Sequence, residues 1–594
     1  MRVLFFIAFF LPVSFLSSCT SDGGKDPVAP GPTVSSVEEP AVLQNKNQSR
    51  AMVVTANPLA TDAGVAVLEA GGSAIDAAVA IESVLSLVEP QSSGLAGGGF
   101  MMYFDAESKK VTVYDGRETA PAGATADMFV KADGSVMGFI EAKNSGLSVG
   151  VPGIVSALSL AHDDHGLRPW NSLFGSAISL AEEGFDVSPR LNSFLERFQR
   201  HIPATLNEGP VDAYQYFFNE AGVPKTRLVN PDYAKALRAI SKDAAAFYKG
   251  DLAQEIVNTV AAKPRAGSMT LSDMANYTAR REQALCVDYK SLSLCGPPPP
   301  SSWVAVGMTM GMLASVPRPA YSAENPKDWA IVGEALRLAY ADRDQYIADP
   351  DFVSLPIKGM LNKTYLAQRA ATINPEQAIK AISYGNPWAF ESKDVSHYGD
   401  DLTDDRAGTT HFSVVDAEGN AIAVTASVES IFGSTRMAGG MFLNNQLTDF
   451  SRSPVDSSGQ RIANAAEAGK RPRSSMSPTL VLDEHGEFLM STGSPGGNSI
   501  ISYTLKTLVA VLDWGLSPQE AINLPNMVAR GNKVRIERER ATPEILKVLN
   551  DYGFAVEESK GENSGLSMIL RKPNGDLEGG VDPRREGTIG VPAL

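Results

Sequence analysis

One strand pair in the second half of the chain constrains the fold more than any other feature. Residues 409–415 alternate apolar and polar side chains, a turn-forming run follows at 416–420, and 421–427 alternate again. This pattern predicts an antiparallel hairpin with a loop of about five residues. A symmetric register would place Ser427 opposite Thr409, within reach of its hydroxyl, unless a β-bulge shifts the pairing.

A glycine directly precedes the threonine that opens this hairpin. Cutting the Gly408–Thr409 bond would release a threonine whose α-amine titrates near pH ~8. That amine can take the proton of its own hydroxyl at neutral pH, so no histidine is needed. Gly408 has no side chain to block attack on its carbonyl. A Gly-Thr pair also fits an ordinary strand start, so the self-cleaving interpretation depends on the rest of the chain.

A glycine-rich stretch follows a second predicted hairpin at 479–492 and ends at Gly496 and Gly497. Residues 498–512 then show helical spacing. Glycines between a strand and a helix start present unpaired backbone N–H groups, which can stabilise an oxyanion. The alternative for two adjacent glycines is a tight turn.

Several longer motifs occur in a fixed order around these features, and together they resemble the γ-glutamyltransferase family (γ-glutamyl transpeptidase, glutathione hydrolase), whose members are N-terminal-nucleophile hydrolases. The resemblance covers about residues 51–594. Its motifs are Glu-Ala-Gly-Gly-Ser-Ala-Ile-Asp-Ala (69–77), Gly-Leu-Ala-Gly-Gly-Gly-Phe (94–100), Asp-Gly-Arg-Glu-Thr-Ala-Pro (115–121), Ala-Asp-Arg-Asp (341–344), Thr-Thr-His-Phe-Ser-Val-Val-Asp (409–416), Leu-Asn-Asn-Gln-Leu-Thr-Asp-Phe (443–450), Lys-Arg-Pro-Arg-Ser-Ser-Met-Ser-Pro-Thr (470–479) and Thr-Gly-Ser-Pro-Gly-Gly (492–497).

This resemblance implies an α+β fold, a four-layer αββα sandwich built from two pieces of one precursor. Residues 51–408 would form the large subunit and 409–594 the small catalytic subunit, joined as a heterodimer. The resemblance also implies a role for each matching residue. Thr409 is the nucleophile, Ser427 orients it, and Gly496 and Gly497 form the oxyanion hole. The donor's α-carboxylate is held by Arg117, Ser474 and Ser475, and its α-ammonium by Gln446 and Asp449.

The chemistry of this clamp makes sense independently, because an arginine fork fits a carboxylate, and an acid with an amide acceptor fits an ammonium. Glu429 departs from many family members, which have Asn there. We expect it to add a second carboxylate near Asp449 and so to disfavour donors without an amine, such as glutaryl groups. The alternative is that Glu429 faces solvent.

The first 50 residues have the pattern of an exported lipoprotein. Residues 1–18 combine one positive charge with an apolar core, as a signal peptide does, and are too short to span a membrane. Leu-Ser-Ser-Cys at 16–19 resembles a bacterial lipobox, which predicts lipidation of Cys19 and anchoring, with outer-membrane sorting. The alternative is an ordinary signal peptide with an incidental cysteine. Residues 19–50 are rich in Pro, Ser and Gly and predict a tether.

Composition sets further limits. A formal charge of −16 and a pI near 5.0 argue against nucleic acid as a partner. The two remaining cysteines, Cys286 and Cys295, lie symmetrically in an alternating stretch centred on 290–291. They predict a cross-strand disulfide in an exported protein, or else two unpaired core residues. No motif indicates a metal or cofactor.

The sequence therefore predicts an exported periplasmic or cell-surface enzyme that acts on glutathione and related γ-glutamyl compounds. Two alternatives stay open, a cephalosporin or glutaryl acylase on the same fold and a non-catalytic surface-binding lipoprotein. Residues 451–469 contain no aromatic side chain. We expect them to form a loose cover over the donor pocket that lets hydrolysis compete strongly with transfer.

Overall fold

The computed structural model describes residues 50–202, 213–263, 265–318, 321–391, 398–401, 403 and 408–593. The predicted signal peptide, Cys19 and the predicted tether up to residue 49 lie outside these residues. Among the described residues, no helix combines the length and the apolar character needed to cross a membrane.

Helices in the described residues commonly start at a Ser, Thr or Asn whose side chain accepts a hydrogen bond from a backbone amide of the first turn, as Asn57 and Ser73 do. The helices are α1 Pro58–Glu69, α2 Ala74–Val88, α3 Phe139–Lys143, α4 Ile154–His165, α5 Gly175–Glu183, α6 Pro189–Phe198, α7 Ala213–Phe217, α8 Pro231–Lys242, α9 Asp251–Ala261, α10 Leu271–Asn276, α11 Trp303–Leu313, α12 Pro326–Tyr346, α13 Ile357–Met360, α14 Lys363–Ala370, α15 Ile500–Leu512, α16 Pro518–Asn523 and α17 Pro543–Tyr552.

Strands occur on both sides of the Gly408–Thr409 bond. They are β1 Met52–Thr55, β2 Gly98–Asp105, β3 Lys110–Asp115, β4 Phe185–Asp186, β5 Arg227–Leu228, β6 Arg280–Gln283, β7 Leu285–Tyr289, β8 Leu292–Gly296, β9 Gly408–Val415, β10 Ala421–Glu429, β11 Met437–Ala438, β12 Met441–Phe442, β13 Thr479–Leu482, β14 Phe488–Gly493, β15 Met527–Arg530, β16 Lys533–Glu537, β17 Ala555–Ser559, β18 Ser567–Arg571, β19 Leu577–Val581 and β20 Thr588–Gly590.

Two large sheets form the centre of the molecule. One has the order β20-β1-β9-β10-β2-β3-β6 and the other β19-β18-β14-β13-β8-β7. Side chains alternate between the faces, so Met52 and Val54 pack between the sheets while Val53 packs under the helices around α2. The outer face of the second sheet packs against α11, α12 and α15. The layers are therefore helix, sheet, sheet and helix, which confirms the predicted αββα sandwich.

The predicted hairpin β9–β10 lies at the middle of the first sheet. Its neighbours β1 and β2 come from the part of the chain before residue 408, so both parts share one sheet. In the second sheet β8 pairs with β13 in the same way. Cys286 and Cys295 face each other across β7 and β8 and form a disulfide with their Cα atoms 4.1 Å apart.

Candidate active site

Thr409 and Ser427 pair across β9 and β10 in the predicted register. Ser427 Oγ lies 3.0 Å from Thr409 Oγ1 and donates to the carbonyl oxygen of Gly408 at 2.9 Å. Ser427 has a single hydroxyl hydrogen, so Thr409 is the donor in the bond between them. The hydrogen bonds thus run in one direction, from the Thr409 hydroxyl through Ser427 to the carbonyl that precedes Thr409.

A β-bulge follows Ser427 directly. Glu429, not residue 428, opposes Gly408, and Glu429 has a left-handed φ of 76°. Its backbone N–H donates to Ser427 Oγ at 2.9 Å. The bulge therefore leaves the Thr409–Ser427 pair in register and adds a donor that orients the Ser427 hydroxyl.

The local packing requires a glycine at position 408. A Cβ atom there would lie 2.3 Å from the carbonyl carbon and 2.4 Å from the carbonyl oxygen of Ser430. Backbone atoms cannot give way as a flexible side chain can, so any other residue would push Gly408 away from Ser427. The glycine keeps its carbonyl beside the candidate nucleophile.

His411 is buried two residues after Thr409 but is not suited to act as a base. Burial lowers the pKa of its imidazole to about 3, so the ring is neutral at working pH. Its Nδ1 is 2.9 Å from Thr425 Oγ1. The base that Thr409 needs would then be its own α-amine, once the peptide bond is cut.

Gly496 and Gly497 form the turn between β14 and α15. Their backbone φ angles are +142° and +58°, which residues other than glycine rarely adopt. The single-turn helix Gly497–Ser499 starts here and runs into α15, and the first N–H groups of a helix have no intrahelical acceptor. A Cβ at Gly496 would lie 2.5 Å from Tyr503 Cε2, so the turn is held against that ring.

Arg585 lies between this turn and Thr409. Its Nη1 donates to the Thr409 carbonyl at 3.0 Å and its Nε to the Ser564 carbonyl at 3.1 Å. A Cβ at the next residue, Gly565, would meet both Arg585 and Pro495, the residue before Gly496. Gly565 therefore lies against both Arg585, which contacts the Thr409 carbonyl, and Pro495, at the start of the glycine turn.

Arg117 and Asp449 meet in a buried ion pair. Arg117 Nη2 lies 2.6 Å from Asp449 Oδ2, and the side chains are 0% and 5% exposed. Arg117 also donates to the backbone carbonyls of Pro472 and Arg473, and Gln446 Nε2 donates to Asp449 Oδ2 at 3.3 Å. The structure thus brings together three of the predicted clamp residues, with a cation and an anion side by side.

Ser474 and Ser475 follow the carbonyl that Arg117 contacts. The Ser474 backbone is fixed because its N–H donates to the Pro300 carbonyl at 2.9 Å, while its own carbonyl accepts from Ser302 at 2.7 Å. Ser475 Oγ accepts from Arg343 Nη2 at 2.8 Å. Both serines are buried in the wall beside Arg117.

Glu429 is buried rather than facing solvent. Its carboxylate accepts hydrogen bonds from Ser430 and Asn445. Lys143 supplies a nearby positive charge. Burial lowers the pKa of Lys143 to about 8, and the attraction of Glu429 opposes that effect.

Comparison with known proteins agrees with this geometry. The family model described as Gamma-glutamyltranspeptidase matches residues 60–591. The chain belongs to this family. It is 34% identical over 551 residues to the glutathione hydrolase proenzyme of Bacillus subtilis, covering 91% of each chain. It is 31% identical over 551 residues to the acylase ACY 1 proenzyme of a Pseudomonas strain, covering 91% of this chain and 93% of the relative.

A solved structure shows the same fold. The cephalosporin acylase from Bacillus halodurans superposes with a TM-score of 0.77 at 24% identity, covering 94% of this chain and 99% of that one. The chain therefore shares its fold with that structure.

The segment 451–469 differs from the loose cover expected for it. Its base is anchored, because the Ser451 N–H donates to the Asn464 carbonyl at 2.9 Å and Lys470 Nζ donates to the carbonyls of Ala463 and Ala465. The exposed part is a small turn in which Val455 pairs with Arg461. The absence of aromatic side chains indicated a loose segment. Hydrogen bonds to backbone carbonyls anchor its base instead, and composition does not show them.

Sequence reasoning also missed two arginines of the site, Arg585 and Arg473. Arg585 lies in Asp-Pro-Arg-Arg, a charged run between apolar strands near the end of the chain. The two adjacent arginines in this run were the sequence signal that could have indicated a buried role for Arg585. Arg473 is buried and forms an ion pair with Asp401 at 3.1 Å.

Proposed function

We propose that this chain is a self-cleaving γ-glutamyl hydrolase and transferase with Thr409 as its nucleophile. The observation that carries the proposal is the directed chain of hydrogen bonds from Thr409 through Ser427 to the Gly408 carbonyl. The Thr409 hydroxyl, the serine that accepts its hydrogen bond and the carbonyl that would be attacked lie in one buried group.

Self-cleavage would begin with attack of Thr409 Oγ1 on the Gly408 carbonyl carbon. Ser427 donates to the carbonyl oxygen as negative charge develops there. The C–N bond then breaks, and the proton lost by the hydroxyl ends on the nitrogen, which becomes the α-amine of Thr409. Water hydrolyses the resulting ester, leaving a carboxylate on Gly408 and a free hydroxyl on Thr409.

In turnover the same hydroxyl would attack the γ-carbonyl of a bound donor such as glutathione. The Arg117–Asp449 pair suits a donor end that carries both an α-carboxylate and an α-ammonium, because each charge finds its opposite without leaving a buried ion unpaired. The N–H groups at Gly496 and Gly497 would stabilise the tetrahedral oxyanion. Collapse of this intermediate breaks the donor's amide C–N bond, and the leaving amine takes the proton lost by the hydroxyl. Water or another amine then releases the acyl group from Thr409.

A second candidate function is that of a cephalosporin or glutaryl acylase, which is favoured by the 31% identity to the acylase ACY 1 proenzyme. A glutaryl group lacks the α-ammonium that would add a positive charge beside the carboxylates of Asp449 and Glu429. We therefore expect γ-glutamyl donors to be preferred. A surface lipoprotein that only binds a ligand would need no nucleophile. Finding the protein uncut and inactive would favour this non-catalytic alternative.

Purified protein would be tested with γ-glutamyl and glutaryl anilides, with and without a dipeptide acceptor, and its fragments would be sequenced. We expect a small subunit beginning Thr-Thr-His-Phe, faster release from the γ-glutamyl anilide, and a full-length inactive Thr409→Ala variant. Although the base of the segment 451–469 is anchored, the segment carries no aromatic side chain to close over the donor, so we expect hydrolysis to compete strongly with transfer. A different N-terminus, or an uncut but active enzyme, would refute the nucleophile.

Specificity has its own test in Glu429→Gln. If the Glu429 carboxylate attracts the donor ammonium, this variant should raise KM for γ-glutamyl anilide. It should also reduce the preference for γ-glutamyl anilide over glutaryl anilide. Glu539→Gln makes the same substitution at an exposed position and serves as the comparison. An unchanged preference would show that Glu429 serves only to hold Ser430 and Asn445.

The chain would work in the cell envelope as a lipoprotein. This part rests on the sequence of residues 1–50, where the Leu-Ser-Ser-Cys motif would direct acylation of Cys19 and the following tether would space the enzyme from the outer membrane. Acyl chains contribute ~0.8 kcal/mol per buried CH₂, enough for stable anchoring when several are attached. Cys19→Ser should move the protein to the soluble fraction. Unchanged fractionation would refute lipidation.

A further inference from the structure

The chain segment that leads to the scissile bond is fastened to the enzyme at residues 398–401. The Tyr398 carbonyl accepts from Gln345 Nε2 at 2.9 Å. The Gly399 N–H donates to the Arg461 carbonyl at 2.9 Å, and Gly399 forms a parallel bridge with Ile462. These contacts hold the segment against the base of the 451–469 segment.

Asp401 makes the strongest of these attachments. Its Oδ2 lies 3.1 Å from Arg473 Nη1, and the two side chains are 3% and 0% exposed. Asn464 Nδ2 donates to the same oxygen at 3.2 Å, and the Thr403 N–H donates to Oδ1 at 2.9 Å. A buried, hydrogen-bonded charge pair of this kind is costly to break, because removing one partner takes away the closest opposite charge from the other.

Arg473 connects this attachment to the donor pocket. Its carbonyl accepts from Arg117 Nη2 at 2.8 Å, and its N–H donates to Asn464 Oδ1 at 3.0 Å. Asn464 Nδ2 in turn donates to the Asp449 carbonyl at 2.8 Å. The partners of Asp401 are therefore fixed by the backbone of the pocket itself.

We propose that Asp401 is a positioning residue for self-cleavage, holding the segment before Gly408 through its ion pair with Arg473. Asp401 precedes Gly408 by seven residues, which can span at most about 25 Å. With one end fixed by Asp401 and the other by the pairing of Gly408 in β9, the carbonyl has fewer positions to sample. Restricting a reacting group in this way raises the fraction of time spent in attack geometry. The inference rests on the proposed self-cleavage at Thr409.

The test measures the rate at which freshly synthesised full-length precursor separates into two fragments. We expect Asp401→Asn, which keeps the shape but removes the charge, to slow cleavage about tenfold. Asp401→Glu, which restores the charge, should stay within about threefold of the wild type. Asp400→Asn makes the same change at the exposed neighbouring side chain and should cleave like the wild type.

Thermal unfolding of the uncut Thr409→Ala chain, with and without Asp401→Asn, separates positioning from general destabilisation. Slower cleavage at equal Tm, with rescue by Glu, supports positioning; a wild-type rate for Asp401→Asn overturns it, as does failure of Glu to rescue. If Asp401→Asn does not fold, Arg473→Lys, which keeps the positive charge, and Arg473→Gln, which removes it, are compared instead. Equal cleavage rates for these two variants would overturn the inference. A wild-type chain that is never cut between Gly408 and Thr409 would instead refute the proposed function.

Discussion

Thr409 Oγ1 and Ser427 Oγ lie 3.0 Å apart across the two central strands of the first sheet, with Ser427 donating onward to the Gly408 carbonyl. Strand pairing fixes this distance, because Thr409 and Ser427 occupy the same rung of the ladder. The serine can therefore accept a hydrogen bond from the Thr409 hydroxyl while it polarises the Gly408 carbonyl.

Ser427→Ala should slow self-cleavage by about 10- to 100-fold, since it removes one hydrogen-bond donor from the developing oxyanion. Ser427→Thr keeps the hydroxyl and should cleave within about threefold of the wild type. The measurement is a time course of precursor and fragments by gel and mass spectrometry. Thr410→Val is the matched control, because the buried Thr410 hydroxyl makes no hydrogen bond within the described chain. A normal rate in Ser427→Ala would exclude this role.

Asp449→Asn should impair both donor binding and stability. It removes the carboxylate 2.6 Å from the buried Arg117 guanidinium and leaves Glu118, at 3.5 Å, as the nearby acid. Breaking a buried ion pair typically costs about 3 kcal/mol of folding free energy. KM for a γ-glutamyl anilide should rise more than kcat falls, because the ammonium loses its counter-ion. Asp186→Asn removes the carboxylate of an exposed pair with Arg227 and should change neither quantity appreciably. An unchanged KM would remove Asp449 from the donor clamp.

The hairpin around Thr409 could be predicted because its information is local. Alternation of apolar and polar residues fixes which side chains share a face, and a symmetric turn fixes the register, so the pairing of Thr409 with Ser427 followed from the sequence. The bulge at Glu429 could not be predicted, since it depends on the positive φ of that residue and on the N–H that it offers to Ser427.

Contacts between distant segments were beyond local patterns. The family resemblance named Arg117 and Asp449, but nothing in their spacing shows that they form an ion pair without a ligand. Arg585 reaches Thr409 across 176 residues, and Asp401 reaches Asn464 across 63. Such contacts follow from the packing of the two sheets and not from periodicity.

Gly496→Ala should lower kcat for a γ-glutamyl anilide by about 10²–10³-fold while KM changes little. The added Cβ would lie 2.5 Å from Tyr503 Cε2, and φ of +142° is unfavourable for alanine, so the turn must shift. Gly486→Ala controls for backbone strain alone, because Gly486 has φ +74° in an exposed turn with no atom closer than 3.8 Å to the new Cβ. Full activity in Gly496→Ala would show that this turn does not stabilise the oxyanion.

Glu82 should make the folded protein less stable as pH rises. Burial raises the pKa of its carboxyl to about 8, from an ordinary value of 4.5, although the Ser93 hydroxyl acts in the opposite direction. The folded state therefore binds a proton that the unfolded state has released, and this contribution is fully present below pH 4.5 and lost progressively between pH 4.5 and 8.

Glu82→Gln resembles the protonated carboxyl in shape and does not titrate. Each unit of pKa shift corresponds to about 1.4 kcal/mol, so the variant should match the wild type near pH 5 and be more stable by a few kcal/mol near pH 9. The measurement is denaturant unfolding at both pH values, and comparing the two proteins cancels the contribution of other titrating groups. Glu539→Gln provides the same substitution at an exposed position. If the difference between Glu82→Gln and the wild type does not grow with pH, the Glu82 carboxyl is already ionised in the folded protein.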